Sequence, residues 1–163
     1  MSNQNNITPK KMITTLTFIH LSFVSMLVIF AAAIYIIGEE WLFNFGSMDF
    51  GFPYFVPIAA IAGLILSDFL FKKLLKALES KNGLLGKLRG YQSAVLVKYA
   101  LIEGPALLAV ISAFMSGNLA YLAIGALLIF YFVLQRPTML KVGSDLKLSG
   151  ELKSQFEKQD EPI

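Results

Sequence analysis

Three ionisable residues stand inside apolar stretches of the sequence, where their chemistry would be proton or cation transfer. They are His20, Asp68 and Glu103, each within a run of mainly aliphatic and aromatic residues. A charged side chain inside a membrane costs about 2.5–3.5 kcal/mol on insertion scales, so such residues raise a functional question by default. A carboxyl group can carry a proton or a cation, and an imidazole changes its protonation state near neutral pH.

Glu103 is the first candidate because a helix-distorting pair follows it directly. Pro105 lacks an amide N–H and presses on the carbonyl group of Leu101, one turn earlier, so we expect a kink. Gly104 adds space for a neighbouring helix or a water molecule. Burial favours the neutral carboxyl unless a cation such as Lys98 approaches. Two interpretations stay open: a protonated Glu103 that bridges two helices for about 1 kcal/mol, or a site for a proton, an ion or a ligand.

The ionisable residues lie at similar depths, which predicts one intramembrane polar cluster. Counted from the nearest flanking lysine, His20, Asp68 and Glu103 lie four to nine residues inside their apolar runs. At 1.5 Å per residue these depths are roughly 6 to 14 Å. Lys98 and Tyr99 fall about one turn before Glu103 and complete the predicted cluster.

Each member of this cluster also has a structural interpretation. Asp68 precedes Lys72 by four residues, the spacing of an ion pair on a helix surface, and a solvated pair is the preferred interpretation. His20 is expected to bond another helix rather than to bind a metal or carry a proton.

The composition excludes several kinds of site. Cysteine is absent and histidine occurs once, which rules out disulfides and thiolate chemistry and leaves no basis for a metal centre. The sequence lacks a phosphate-binding glycine loop, a metalloprotease helix and a nucleophile elbow. We therefore predict no enzyme activity, no catalytic residue, no cofactor and no metal.

Four apolar stretches are long enough to cross a membrane and so must position these residues. The sequence predicts an all-α polytopic membrane protein, a bundle of four transmembrane helices that forms one domain over residues 1–137. The predicted spans cover about 13–37, 52–71, 94–115 and 119–135.

The last segment, 138–163, is predicted to be a cytoplasmic tail. Its Leu148, Leu152 and Phe156 recur at helical spacing behind Ser149, which favours a short amphipathic helix.

The distribution of charge predicts the orientation. Of the 14 lysine and arginine residues, two precede the first span, seven fall at the connection between the second and third spans, and five follow the fourth. The positive-inside rule then places both termini in the cytoplasm, with the protein in the cell (inner) membrane. These basic flanks suit anionic lipid rather than nucleic acid. The residues expected to face lipid headgroups are Lys72, Lys73, Lys76, Lys87, Arg89 and Arg136.

Small residues recur in the predicted spans, for example Ala59 with Gly63 and Ala109 with Ala113. Such spacing lets helices approach closely. Packing within one bundle and assembly of several copies explain it equally well.

Two resemblances follow from the third and fourth spans. The segments Leu101-Ile-Glu-Gly-Pro105, Gly117-Asn118 and Arg136-Pro-Thr138 together resemble a group of small four-span bacterial inner-membrane proteins without an assigned function. This resemblance implies the fold and carries over no catalytic residue.

The run Ala100-Leu-Ile-Glu103, with Ala106-Leu-Leu-Ala-Val-Ile-Ser-Ala113, is similar to the ion-carrying helix of rotary ATPase proteolipid subunits. That similarity implies that Glu103 carries a proton or a sodium ion. The sequence departs from this family in the partner helix, where Leu64-Ile-Leu66 and Phe69-Leu-Phe71 stand in place of closely spaced small residues.

The leading functional hypothesis is a non-enzymatic accessory or assembly component that meets lipid, a protein partner or another copy of itself. The alternative is a small transporter or channel coupled to protons or cations, with Glu103 as carrier and His20 and Asp68 as relay. A proteolipid-like ion carrier is the third hypothesis.

Overall fold

The computed structural model describes residues 7–38, 40–43 and 54–163. Over these residues the chain is all-α. The predicted start of the second span at residues 52–53 lies outside the described residues. The helices are α1 (Pro9–Ile37), α2 (Phe55–Leu78), α3 (Leu84–Ser116), α4 (Leu119–Leu134), α5 (Met139–Asp145) and α6 (Gly150–Glu157).

Three helices are long and apolar enough to cross a membrane: α1, α2 and α3, with 29, 24 and 33 residues. At 1.5 Å per residue each exceeds the roughly 30 Å of hydrocarbon in a bilayer. The helix α4 has only 16 residues, and it qualifies as a fourth span only together with α5, across an 85° bend. The predicted all-helical fold is thus confirmed for the described residues, with three helices, or four spans if the bent pair counts as one, that are long and apolar enough to cross a membrane.

The outer surface of the long helices is apolar. Large hydrophobic side chains on α1, α2 and α4 are about two-thirds exposed, among them Phe18, Ile29, Ile65, Leu127 and Phe130. Helices that are apolar on their outer as well as their inner faces suit a hydrocarbon solvent rather than water.

The central helix is α3, which packs against α1, α2 and α4. It begins at Leu84, ten residues before the predicted start of the third span at Ala94. Gly90 lies inside this early part of the helix, where an added Cβ would collide with the side chain of Leu78. The glycine therefore lets the end of α2 pack closely on the start of α3.

The tail folds back on the end of this helical core where α1 begins. It forms two helices: α6 lies where a short helix was predicted behind Ser149, and α5 is an additional helix before it. Val142, Leu146 and Phe156 are buried against the core. The amide of Ile163 donates to the carbonyl of Ile7 (3.0 Å), so both described termini lie together. We call this part of the molecule the basic end: the start of α1, the α2–α3 connection, α5 and α6.

A tight turn at Ser116-Gly117-Asn118 closes the opposite end. Gly117 has φ +63°, a left-handed conformation that favours glycine. Asn118 caps α4, because its side chain accepts from the amide of Ala120 (3.0 Å). Leu42, after α1, bridges this turn by donating to Gly117 O and accepting from Leu119 N, both at 2.8 Å.

Candidate functional site: polar groups along the central helix

Lys98 and Asp68 form an ion pair between α3 and α2. The Nζ–Oδ1 distance is 2.6 Å, and the side chain of Lys98 is 10% exposed against 46% for Asp68. The hydroxyl of Tyr131, on α4, donates to Asp68 Oδ2 (3.3 Å), and Lys98 Nζ lies 4.9 Å from the centre of the Phe71 ring. One charged network therefore joins α2, α3 and α4.

This pairing differs from the expected Asp68–Lys72 pair. The salt bridge of Asp68 is made with Lys98 on the neighbouring helix, and Lys72 is exposed. The cause is tertiary: α2 and α3 pack closely enough for Lys98 to reach the carboxylate.

Close packing of α2 on α3 occurs at Gly63. A Cβ added there would lie 2.5 Å from Pro105 Cγ and 2.8 Å from the carbonyl oxygen of Leu101. That carbonyl is the one that loses its helical donor at Pro105. The glycine that makes room at the proline is thus Gly63, whereas Gly104 faces open space, with no atom within 4 Å of an added Cβ.

His20 and Tyr99 meet on another side of α3, in an aromatic cluster with Phe23 and Phe132. The centres of the His20 and Tyr99 rings are 5.1 Å apart, and those of Tyr99 and Phe132 are 5.0 Å apart. His20 is 4% exposed, and its Nδ1 has no hydrogen-bond partner within the described part of the chain. Tyr99 donates to the carbonyl of Gln135 at the end of α4 (3.3 Å).

Glu103 joins neither group. Its side chain is partly exposed and forms no hydrogen bond or ion pair with any residue that the structure describes. Successive residues of a helix point about 100° apart, so Lys98 contacts α2 while Tyr99 contacts α1 and α4. The structure therefore divides the five predicted residues into an ion pair, an aromatic contact and an isolated Glu103.

Lys87, expected to face lipid headgroups, is instead buried. Its ammonium donates to the carbonyl oxygens of Leu78 (2.8 Å) and Glu79 (3.2 Å). A lysine in this position satisfies backbone acceptors at a helix C-terminus. The other residues expected to face headgroups, namely Lys72, Lys73, Lys76, Arg89 and Arg136, are exposed.

Sequence patterns gave no signal for three contacts that hold the tail. Tyr91 donates to Asp145 Oδ2 (2.9 Å), Lys147 pairs with Glu79 (2.9 Å), and Lys10 pairs with Asp160 (3.0 Å). The charge and hydrogen bond of Lys147 hold the pKa of Glu79 below its ordinary value, and Glu79 raises the pKa of Lys147. These partners are 54 to 150 positions apart in the sequence.

A groove of about 360 Å³ separates α5 from α6. Leu140, Leu148 and Phe156 supply its apolar lining, and its charged lining is Lys147, Lys153 and Glu157, of which Lys153 and Glu157 pair with each other (3.8 Å). Leu140 is 88% exposed, so a large apolar side chain stands uncovered on the basic end.

Within the described ranges, no group of three histidine or acidic residues is placed to hold a metal ion. Comparison of the chain with known protein families, curated proteins and solved structures yields no match.

Proposed function

We propose that this chain is a non-enzymatic accessory or assembly component of the cell (inner) membrane that presents its basic end to a protein partner in the cytoplasm. In this proposal it crosses the bilayer four times, with both termini cytoplasmic. The observation that carries the proposal is the folded basic end, where the exposed Leu140 and the groove between α5 and α6 face outward.

The four-span arrangement has two supports. The beginning of α1 and the end of the chain lie together, as an even number of crossings requires. All lysine and arginine residues belong to segments that form or border the basic end. The positive-inside rule assigns such a basic side to the cytoplasm. The 16 residues of α4 extend about 24 Å, which is shorter than the roughly 30 Å of hydrocarbon, so residues flanking α4 would complete this crossing. The 85° bend would direct α5 along the membrane surface.

The alternative of proton or cation transport requires a connected relay. His20 lies in the aromatic cluster and Asp68 is held by Lys98 and Tyr131, on different sides of α3. Glu103 bonds to neither. Because the three groups are separate, we prefer the accessory function.

Purified protein in proteoliposomes distinguishes these two functions. We expect proton and sodium flux equal to that of protein-free liposomes, for both the parent and Glu103→Gln. Flux in the parent that Glu103→Gln abolishes would establish the transport alternative and contradict our proposal.

Photo-crosslinking in intact cells tests the proposed partner surface. A photoreactive residue in place of Leu140 is expected to capture a protein and give a discrete adduct. The same residue in place of Leu127, which is 69% exposed on α4, is the lipid-facing control and should give lipid adducts only. Lipid adducts alone at both positions would contradict a protein partner at the basic end.

A further inference from the structure

One face of α3 combines an unpaired carboxyl with small exposed residues. We call it the Glu103 face: Ala100, Glu103, Gly104 and Leu107. Ala100 and Gly104 are exposed, Glu103 and Leu107 are partly exposed, and a Cβ on Gly104 would meet nothing within 4 Å. By contrast, other helices cover the sides of α3 that carry Lys98, Tyr99 and Ile102, which are all buried.

Internal packing accounts for four small residues elsewhere in the helical core, namely Gly63, Gly125, Ala109 and Ala113. Gly63 is pressed against Pro105, and Gly125 on α4 lies close to Val110, where an added Cβ would be 3.2 Å from Cγ2. Ala109 and Ala113 are completely buried. These small residues therefore already serve close helix packing within one chain. The small residues of the Glu103 face contact no other helix of the chain at Gly104, where an added Cβ would meet nothing.

Glu103 needs a hydrogen-bonding partner because it lies in the hydrocarbon-spanning part of α3. Glu103 lies 13 residues before the end of α3 at Ser116, a distance of roughly 20 Å along the helix. The other charged groups near this depth, Lys98 and Asp68, already bond to each other. A protonated carboxyl has one donor and a free acceptor, so a second protonated carboxyl is its natural complement.

We propose that two copies of this chain pair through the Glu103 face. A twofold axis along the membrane normal places both Glu103 side chains at the same depth, where they exchange hydrogen bonds. Ala100 and Gly104 then let the two α3 helices approach closely. This pairing is independent of the partner proposed for the basic end.

The absence of cysteine from the chain permits a direct test by disulfide formation. Gly104→Cys is oxidised in native membranes and compared with Ile65→Cys, an exposed position on α2. Each lies 10 to 12 residues from the opposite end of its helix, so the two thiols have similar depth. We expect a covalent dimer from Gly104→Cys and little from Ile65→Cys.

Two further substitutions identify the role of the carboxyl. In the Gly104→Cys background, Glu103→Ala should weaken pairing about 3- to 30-fold, the effect of losing interhelical hydrogen bonds. Glu103→Gln should retain pairing because its amide both donates and accepts. Energy transfer between labelled copies in liposomes at decreasing protein-to-lipid ratio measures the dissociation constant without a disulfide.

Three results would overturn the proposal. The first is equal cross-linking at positions 104 and 65, and the second is no change with Glu103→Ala. The third is an adduct whose mass shows a different protein, because it would assign the Glu103 face to another partner.

Discussion

Replacing Asp68 with asparagine should destabilise the protein more than removing the lysine that pairs with it. Asp68→Asn leaves the ammonium of Lys98 uncompensated, and that side chain is only 10% exposed. Breaking a buried ion pair costs about 3–5 kcal/mol, but Asp68 is 46% exposed, so solvent or headgroups screen part of the interaction. We therefore expect a loss of about 1–3 kcal/mol in the free energy of unfolding.

Lys98→Met leaves the half-exposed carboxylate of Asp68 without its partner, and this carboxylate can be hydrated or protonated. The methionine side chain still provides apolar atoms beside Phe71. The expected cost of this substitution is below about 1 kcal/mol. The double variant should resemble Lys98→Met, since the stranded charge is then gone. Lys72→Met is the matched control, because Lys72 is exposed and the salt bridge of Asp68 is made with Lys98 instead, and it should change stability by less than about 0.5 kcal/mol.

Equilibrium unfolding in mixed micelles, with increasing denaturing detergent, measures the stability of the parent and the four variants. Our reasoning is refuted if Asp68→Asn costs no more than Lys98→Met, or if Lys72→Met costs as much as Asp68→Asn. The second result would show that Asp68 pairs with Lys72 on the same helix, as the sequence spacing predicted.

Two further predictions concern packing and the tail. Gly63→Ala should cost about 1–3 kcal/mol in the same assay by overpacking, since its Cβ would lie 2.5 Å from Pro105, whereas Gly86→Ala, with open space around it, should cost nothing. Lys147 lowers the pKa of Glu79, so this pair's contribution is present above the ordinary pKa of Glu79 and is lost as pH falls through its lowered pKa. The protection factors of the α5 amides, which are corrected for the intrinsic pH dependence of hydrogen exchange, should therefore fall in acid, and Glu79→Gln should weaken that dependence; identical protection profiles for parent and variant would exclude this role.

Features set by local sequence were predictable. The long apolar helices follow from run length, and the turn at 116–118 follows from a glycine that accepts a positive φ beside a capping asparagine. The tail's Leu152 and Phe156 were expected to form one face of a helix, and both pack against the core.

The arrangement of polar groups was less predictable because depth along a helix does not specify the direction in which a side chain points. His20, Asp68 and Glu103 were expected to form one cluster. In the structure His20 on α1 contacts Tyr99 of α3, Asp68 on α2 pairs with Lys98 on another side of α3, and Glu103 bonds to neither. Which helices adjoin α3 depends on close contacts such as Gly63 on Pro105, and single-sequence patterns do not pair such residues. The burial of Lys87 has the same origin, since its acceptors belong to the end of another helix.

Labelling of single cysteines in spheroplasts tests the central claim, that this chain crosses a membrane with its basic end in the cytoplasm. Glu40→Cys, Lys81→Cys and Lys158→Cys report the α1–α2 connection, the α2–α3 connection and the tail, and all three positions are exposed. A membrane-impermeant maleimide should label position 40 in intact spheroplasts, and positions 81 and 158 only after permeabilisation. Labelling of position 81 or 158 from outside would contradict the account.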